Sequence, residues 1–233
     1  MNSDTLICIP TYNEGGNIAA FTTALLSRHP DLHLLIIDDN SPDGTGAKAD
    51  ALAAADSRIH VLHRPVKEGL GQAYVAGFRW ALARDYRYIV EMDADFSHRP
   101  EDLPELLRQL QFYDVVVGSR YVAGGSTENW GLLRRIVSRG GGFYARLLLT
   151  LDIRDLTAGF VAWRREVLQS LDFDSVDASG YVFQIELKYR AHRRGFRILE
   201  VPITFPDRQV GDSKMTPAIA LEALTRLWKI RLK

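Results

Sequence analysis

Along the first half of the chain, short apolar runs rich in β-branched residues alternate with stretches in which apolar residues recur at helical spacing. Thr5 to Ile9, Leu34 to Ile37, Arg58 to Leu62, Tyr88 to Met92 and Asp114 to Val117 predict strands. Between them the pattern predicts a helix ending near Arg28, a helix after Gly44, one over Gly71 to Arg84 and one over Glu101 to Gln111. Such alternation predicts an α/β fold with a mainly parallel central sheet flanked by helices. From Gly124 the rhythm changes to a long loop, a basic apolar helix from about Trp130 to Leu151, and a strand-like Gly159 to Trp163. A helix over Tyr181 to Arg194, a strand over Arg197 to Val201, a polar loop over Asp207 to Thr216 and a helix from Pro217 follow.

Composition narrows this picture. At 233 residues, with 46% hydrophobic and 25% charged, the chain is long enough for one large α/β core. Lys plus Arg and Asp plus Glu each total 29, so no overall basic field points to nucleic acid. Cys8, within the apolar run Leu6-Ile7-Cys8-Ile9, is expected to be a small buried hydrophobe; a lone cysteine fits a reducing compartment. Met1-Asn2-Ser3-Asp4 has no basic leader, and charges or glycines break every apolar stretch before the ~18 residues of a spanning helix.

In a parallel sheet, ligands bind beyond the carboxyl ends of the strands, so residues just after each strand are the first candidates. After the first strand stands Pro10-Thr11-Tyr12-Asn13-Glu14, after the second Asp38-Asp39-Asn40-Ser41-Pro42-Asp43-Gly44, and after the fourth Asp93-Ala94-Asp95. Asp93 and Asp95 are spaced to share one hard cation, with phosphate oxygens and water completing its shell; alternatively one of them caps the helix after Pro100. Turn chemistry accounts for Pro42 to Gly44 but not for adjacent carboxylates at Asp38 and Asp39, whose repulsion needs a compensating partner. Gly69-Leu70-Gly71 lacks the third glycine of a dinucleotide fingerprint and is expected to let its helix approach the sheet closely.

Taken in order, these motifs continue through Gly118-Ser119-Arg120-Tyr121, Asp155-Leu156-Thr157-Ala158-Gly159-Phe160, Gly180-Tyr181-Val182-Phe183-Gln184, and Asp207-Arg208 with Ser213-Lys214. The series resembles the polyprenol-phosphate (dolichol-phosphate) mannosyltransferases of glycosyltransferase family 2 over nearly the whole chain. That resemblance implies a GT-A fold and transfer of mannose, with inversion, from GDP-mannose to a polyprenol monophosphate. It implies nucleotide binding by Pro10, Tyr12, Glu14, Ile37 and Asp39. Asp93, Ala94 and Asp95 would lie at the ribose, the diphosphate and a Mg2+ or Mn2+ ion, with Asp95 as its principal ligand. A glutamine that joins the metal shell in some relatives is replaced here by Ser97. The resemblance further implies phosphate contacts and catalytic roles for Arg120, Arg208 and Lys214, and places Arg134 and Ser138 at the acceptor phosphate. The Gln-x-x-Arg-Trp signature of processive sugar polymerases is absent from the sequence.

A lipid monophosphate is largely ionised at neutral pH, its second pKa lying near ~6, so its transfer demands no general base. Glu186 becomes a candidate base only for an alcohol acceptor. The predicted helix near 130–151 carries Arg134, Arg135, Arg139 and Arg146 among leucines and Phe143, a composition suited to a membrane interface or to a core helix with a solvated basic face. The division expected is a catalytic domain over 1–205, including that helix, and a phosphate loop with a C-terminal amphipathic helix over 206–233. The expected location is the cytosolic face of a membrane, held peripherally or through a small membrane-anchoring protein. A related polyprenyl-phosphate glycosyltransferase using UDP-glucose or another nucleotide sugar and a non-catalytic nucleotide-sugar or membrane-interaction module are the competing readings.

Overall fold

The computed structural model describes residues 3–128, 131–176, 180–206 and 226–232, with the backbone alone for 132–137 and 180–181. Strands β1 (Thr5–Thr11), β2 (His33–Asp38), β3 (Ile59–His63), β4 (Tyr88–Glu91), β5 (Val115–Ser119), β7 (Val161–Arg164) and β8 (Ile198–Pro202) form one sheet in the order β3-β2-β1-β4-β7-β5-β8. Because β1 lies between β2 and β4 and is parallel to both, the strand order reverses there, and the carboxyl ends of the three open onto one crevice.

The near-continuous apolar character of these strands has a direct cause, since both faces of the sheet are covered. Helices α1 (Ile18–Arg28) and α4 (Leu103–Gln109) pack on one face, where Phe21, Leu25, Leu103 and Leu106 meet Ile7, Ile9 and Ile36. Helix α2 (Thr45–Ala55) packs beside α1. On the other face α3 (Leu70–Leu82) lies across β1 and β2, joined by α6 (Arg165–Ser170) and α7 (Gly180–Arg193) around Tyr74, Phe78, Trp163 and Phe183.

The mainly parallel sheet has one exception. Strand β7 runs antiparallel between β4 and β5. The chain leaves β5 at the carboxyl edge, and α5 (Leu132–Leu149) does not return it across the sheet face. Instead Ala145 and Leu149 of α5 pack in a third cluster with Val182, Ile185, Leu227 and Ile230. The chain therefore re-enters the sheet from the edge by which it left. The expected long loop after Gly124 also contains β6 (Ser126–Thr127), paired in parallel with β9 (Thr204–Phe205).

Within α3, Gly77 lets the helix lie close to the sheet. A Cβ on Gly77 would meet Ile37 Cδ1 at 2.5 Å and Cys8 Sγ at 3.3 Å, whereas Gly69 is used for its positive φ at the helix entry. Cys8 is fully buried, and burial pushes its thiol pKa up, as expected of a structural cysteine. Among the described residues no helix is long and apolar enough to cross a membrane. In the terminal helical segment 226–232, Leu227 and Ile230 face the core and Trp228 and Leu232 are exposed, so only part of the expected apolar stripe is available to a surface.

Candidate active site

The loops after β1 and β2 are laced together by the turn residues themselves. The Asn13 N–H donates to Ser41 Oγ at 3.1 Å, that of Glu14 to Thr45 Oγ1 at 3.0 Å, and that of Gly15 to Asp43 Oδ2 at 3.0 Å. Asp43 also accepts from the Thr45 N–H and hydroxyl. Asp38 accepts from the Ser41 hydroxyl at 2.6 Å, so Ser41, Asp43 and Thr45 form the frame that holds Tyr12, Glu14 and Asp39.

The adjacent carboxylates are compensated by a cation from a third loop. Arg64, directly after β3, donates from Nη1 to Asp39 Oδ1 at 2.5 Å and from Nη2 to Glu68 Oε2 at 2.6 Å. Both Arg64 and Asp39 are buried, and burial pushes the Asp39 pKa up against the opposing pull of Arg64. Two residues after Pro65, Lys67 Nζ stands 3.5 Å from the centroid of the Tyr12 ring, a cation–π contact at the mouth of the crevice. Arg64 follows from the rule already applied to the other strands, that polar groups just beyond a carboxyl end face the crevice.

At the end of β4, Asp95 is 7% exposed and its Oδ1 accepts from the Ser97 N–H at 3.0 Å and the Ser97 hydroxyl at 2.5 Å. Ser97 thus orients this carboxylate, and neither Asp93 nor Asp95 caps the helix after Pro100, whose flanking residue is Arg99. The turn includes Phe96 at φ 61°, a conformation that costs a non-glycine residue energy. Asp93 is more open, with Oδ1 3.5 Å from the Tyr74 hydroxyl, and its N–H donates to His98 Nδ1 at 2.9 Å. That bond places the ring proton of the neutral imidazole on Nε2, occupies the Nδ1 lone pair, and fixes a histidine stacked on Phe160. The remaining donor set is carboxylate oxygen, which suits a hard cation such as Mg2+ or Mn2+ that fills its shell with phosphate oxygens and water.

Two expected contact residues point elsewhere. The Ile37 side chain is wholly buried under α3 against Cys8 and Gly77, leaving its carbonyl, which accepts from Thr11 Oγ1 at 3.3 Å. Ala94 is buried among the α1 and α4 residues of the opposite face. Pro10, Tyr12 and Glu14 lie half-buried at the end of β1.

Arg120, expected at a phosphate, has a buried protein partner. Its Nε donates to Asp155 Oδ2 at 2.7 Å and its Nη2 to Asp155 Oδ1 at 2.6 Å and Thr157 Oγ1 at 2.9 Å. Burial raises the Asp155 pKa, but the Arg120 charge and hydrogen bonds outweigh it and hold the carboxyl below its usual range. This pair belongs to a buried polar network. Lys188 donates to the carbonyls of Leu156 and Ala158 at 3.2 and 2.7 Å and to Gln184 Oε1 at 3.3 Å. Gln184 in turn donates to Glu91, which also accepts from Trp163 Nε1 at 2.7 Å. The end of β4 and the end of β5 are therefore braced through α7. Glu186 is fully buried and paired with Arg190.

Ser138, on α5, accepts from the Tyr121 hydroxyl at 2.7 Å. The Arg134 side chain, Arg208 and Lys214 lie outside the described residues and side chains.

Comparisons with known proteins agree with this architecture. The polyprenol monophosphomannose synthase of Mycolicibacterium smegmatis is 49% identical over 231 residues, covering 97% of this chain and 87% of its own. The undecaprenyl-phosphate mannosyltransferase of Micrococcus luteus is 47% identical over 222 residues, covering 95% and 91%. Among solved structures, glucosyl-3-phosphoglycerate synthase from Mycobacterium tuberculosis, in complex with Mn2+, UDP-glucose and phosphoglyceric acid, superimposes with a TM-score of 0.70 at 20% identity, covering 97% of this chain and 79% of that one. That likeness, together with the sheet order, establishes the GT-A fold. The sequence profile of glycosyl transferase family 2 matches residues 6–172, and the chain belongs to that family.

Proposed function

We propose that this protein transfers mannose from GDP-mannose to a polyprenol monophosphate, giving a β-linked polyprenyl-phosphate mannose. The observation that carries the reading is Asp93 and Asp95 at the reversal point of the sheet, in a chain whose relatives named for polyprenol-phosphate mannosyl transfer match it almost end to end. A phosphate oxygen of the acceptor forms a bond to the anomeric carbon as the bond from that carbon to GDP breaks. The ionised monoester supplies its own electron pair, and no proton has to be removed.

The protein's task is then binding and orientation. Asp39, braced by Arg64, and Tyr12, faced by Lys67, bracket the nucleoside, with Pro10 and Glu14 beside them. Asp95, held by Ser97, and Asp93 would hold Mg2+ or Mn2+. When bound, that ion neutralises charge on the departing diphosphate. Arg120, Arg208 and Lys214 meet phosphate, Arg134 and Ser138 meet the acceptor, and the Arg120 bond to Asp155 also positions the end of β5. Residues 1–205 form the catalytic unit and 206–233 the phosphate loop and attachment helix. The enzyme works at the cytosolic face of a membrane, peripherally bound or recruited by a small anchoring protein.

A donor titration tests the assignment. With magnesium or manganese present, GDP-mannose is expected to bind more tightly than UDP-glucose; tighter binding of the uridine donor would overturn the choice of mannose.

A further inference from the structure

Between α5, the loop after β5 and the loop before β7 lies a basic cavity of about 290 Å³ lined by Tyr121, Arg139, Phe143, Arg146 and Arg154. Its cations are poorly matched within the protein. Among the described residues no carboxylate lies within ion-pair distance of Arg139 or Arg154, and both are exposed. Arg146 pairs through Nη2 with Asp152, itself almost fully exposed, and its Nε is buried without a partner. Unpaired buried donors and clustered guanidinium groups favour an anionic oxygen ligand.

The surrounding parts are held in place. The Arg139 guanidinium lies 5.6 Å from the centroid of the Tyr121 ring, and the Tyr121 hydroxyl is tied to Ser138. Glu200 of β8 accepts the N–H groups of Arg154 and Asp155 at 2.7 and 2.8 Å, fixing the backbone from which Arg154 projects. Beside the cavity a second hollow of about 350 Å³ is lined by Phe143 and Leu147, which are 66% and 73% exposed and one helical turn apart. Exposed apolar side chains adjoining guanidinium groups match the boundary between acyl chains and phosphates in a bilayer.

We propose that the Tyr121–Arg139–Arg146–Arg154 cavity binds the phosphate of an anionic membrane phospholipid while Phe143 and Leu147 enter the acyl layer beside it. The site adjoins Ser138 and Arg120 through Tyr121 and sets the orientation of the crevice to the membrane. It rests on the reading of a lipid acceptor only in placing α5 at a bilayer. Arg154 adjoins Asp155, so headgroup binding abuts the ion pair that holds Arg120.

Vesicle flotation tests this without polyprenol phosphate or nucleotide sugar, and so independently of the transfer reaction. The wild-type chain is expected to float with phosphatidylcholine vesicles containing phosphatidylglycerol and not with phosphatidylcholine alone. Combining Arg139→Gln with Arg154→Gln should weaken that association on the order of tenfold, since each basic residue near an anionic surface contributes measurably. Arg79→Gln with Arg108→Gln, on α3 and α4, should leave it unchanged. Undiminished flotation of the first pair, an equal loss in the second, or association that requires added polyprenol phosphate would each overturn the proposal.

Discussion

Arg64 donates to Asp39 across 2.5 Å in a buried ion pair that joins the loop after β3 to the loop after β2. Taking away the cation leaves two adjacent carboxylates without their principal compensation. Arg64→Ala is therefore expected to cost about 3–5 kcal/mol in urea unfolding, the usual consequence of orphaning a buried charge. Adding Asp39→Asn should recover part of that loss. A cost within experimental error for Arg64→Ala alone would show that Asp39 does not depend on this partner.

Ser97 holds the carboxylate assigned to the metal, so the two residues should separate kinetically. Asp95→Ala is expected to abolish metal-dependent transfer while leaving the thermal transition intact. Ser97→Ala should keep turnover but weaken the Mn2+ response about tenfold, as loss of an orienting hydrogen bond does. Unchanged metal dependence in both variants would remove the ion from this loop.

Gly77 sets how near α3 lies to the sheet. Helix propensity alone predicts that Gly77→Ala stabilises by about 1 kcal/mol. The 2.5 Å approach to Ile37 Cδ1 predicts the reverse, a loss of about 1–3 kcal/mol from overpacking. Ile37→Val removes the obstructing methyl, so the double variant should lose less than the two single changes together. Chemical denaturation of the four proteins provides the comparison.

Glu91 predicts a pH dependence of stability. Burial pushes its carboxyl up to about 7, against the opposing charge of Lys188 and the bonds from Gln184 and Trp163. Between the unfolded value near ~4.3 and the folded value, the native state retains a proton that the unfolded chain has released. The stability this group contributes is thus fully present below the unfolded pKa and is lost as pH rises through about 7. The advantage of wild type over Glu91→Gln should be larger at pH 5 than at pH 7 by urea midpoint; a constant difference would contradict the assignment.

The parts of the fold visible in the sequence are those written in local patterns. The apolar runs of β1, β2 and β4 predict a mainly parallel sheet, which the structure bears out, and the acidic residues after them lie at one edge of it. The antiparallel β7 was not visible because its direction depends on α5 packing away from the sheet rather than on its own residues. Lys188 and Glu91, far apart in the chain, carry no local sign that they share one buried network. Arg120 engages Asp155 across 35 residues of sequence, a pairing that no local pattern shows. His98 likewise gains its meaning only when Phe160 folds against it.

The most direct measurement is transfer of labelled mannose from GDP-mannose to a short polyprenol phosphate, with and without Mg2+ or Mn2+, beside a parallel reaction containing UDP-glucose. Metal-dependent label is expected in the lipid product from GDP-mannose, and far less from the uridine donor. Absence of lipid-linked mannose with both purified acceptor and intact membranes, or faster transfer from UDP-glucose, would contradict the proposed reaction.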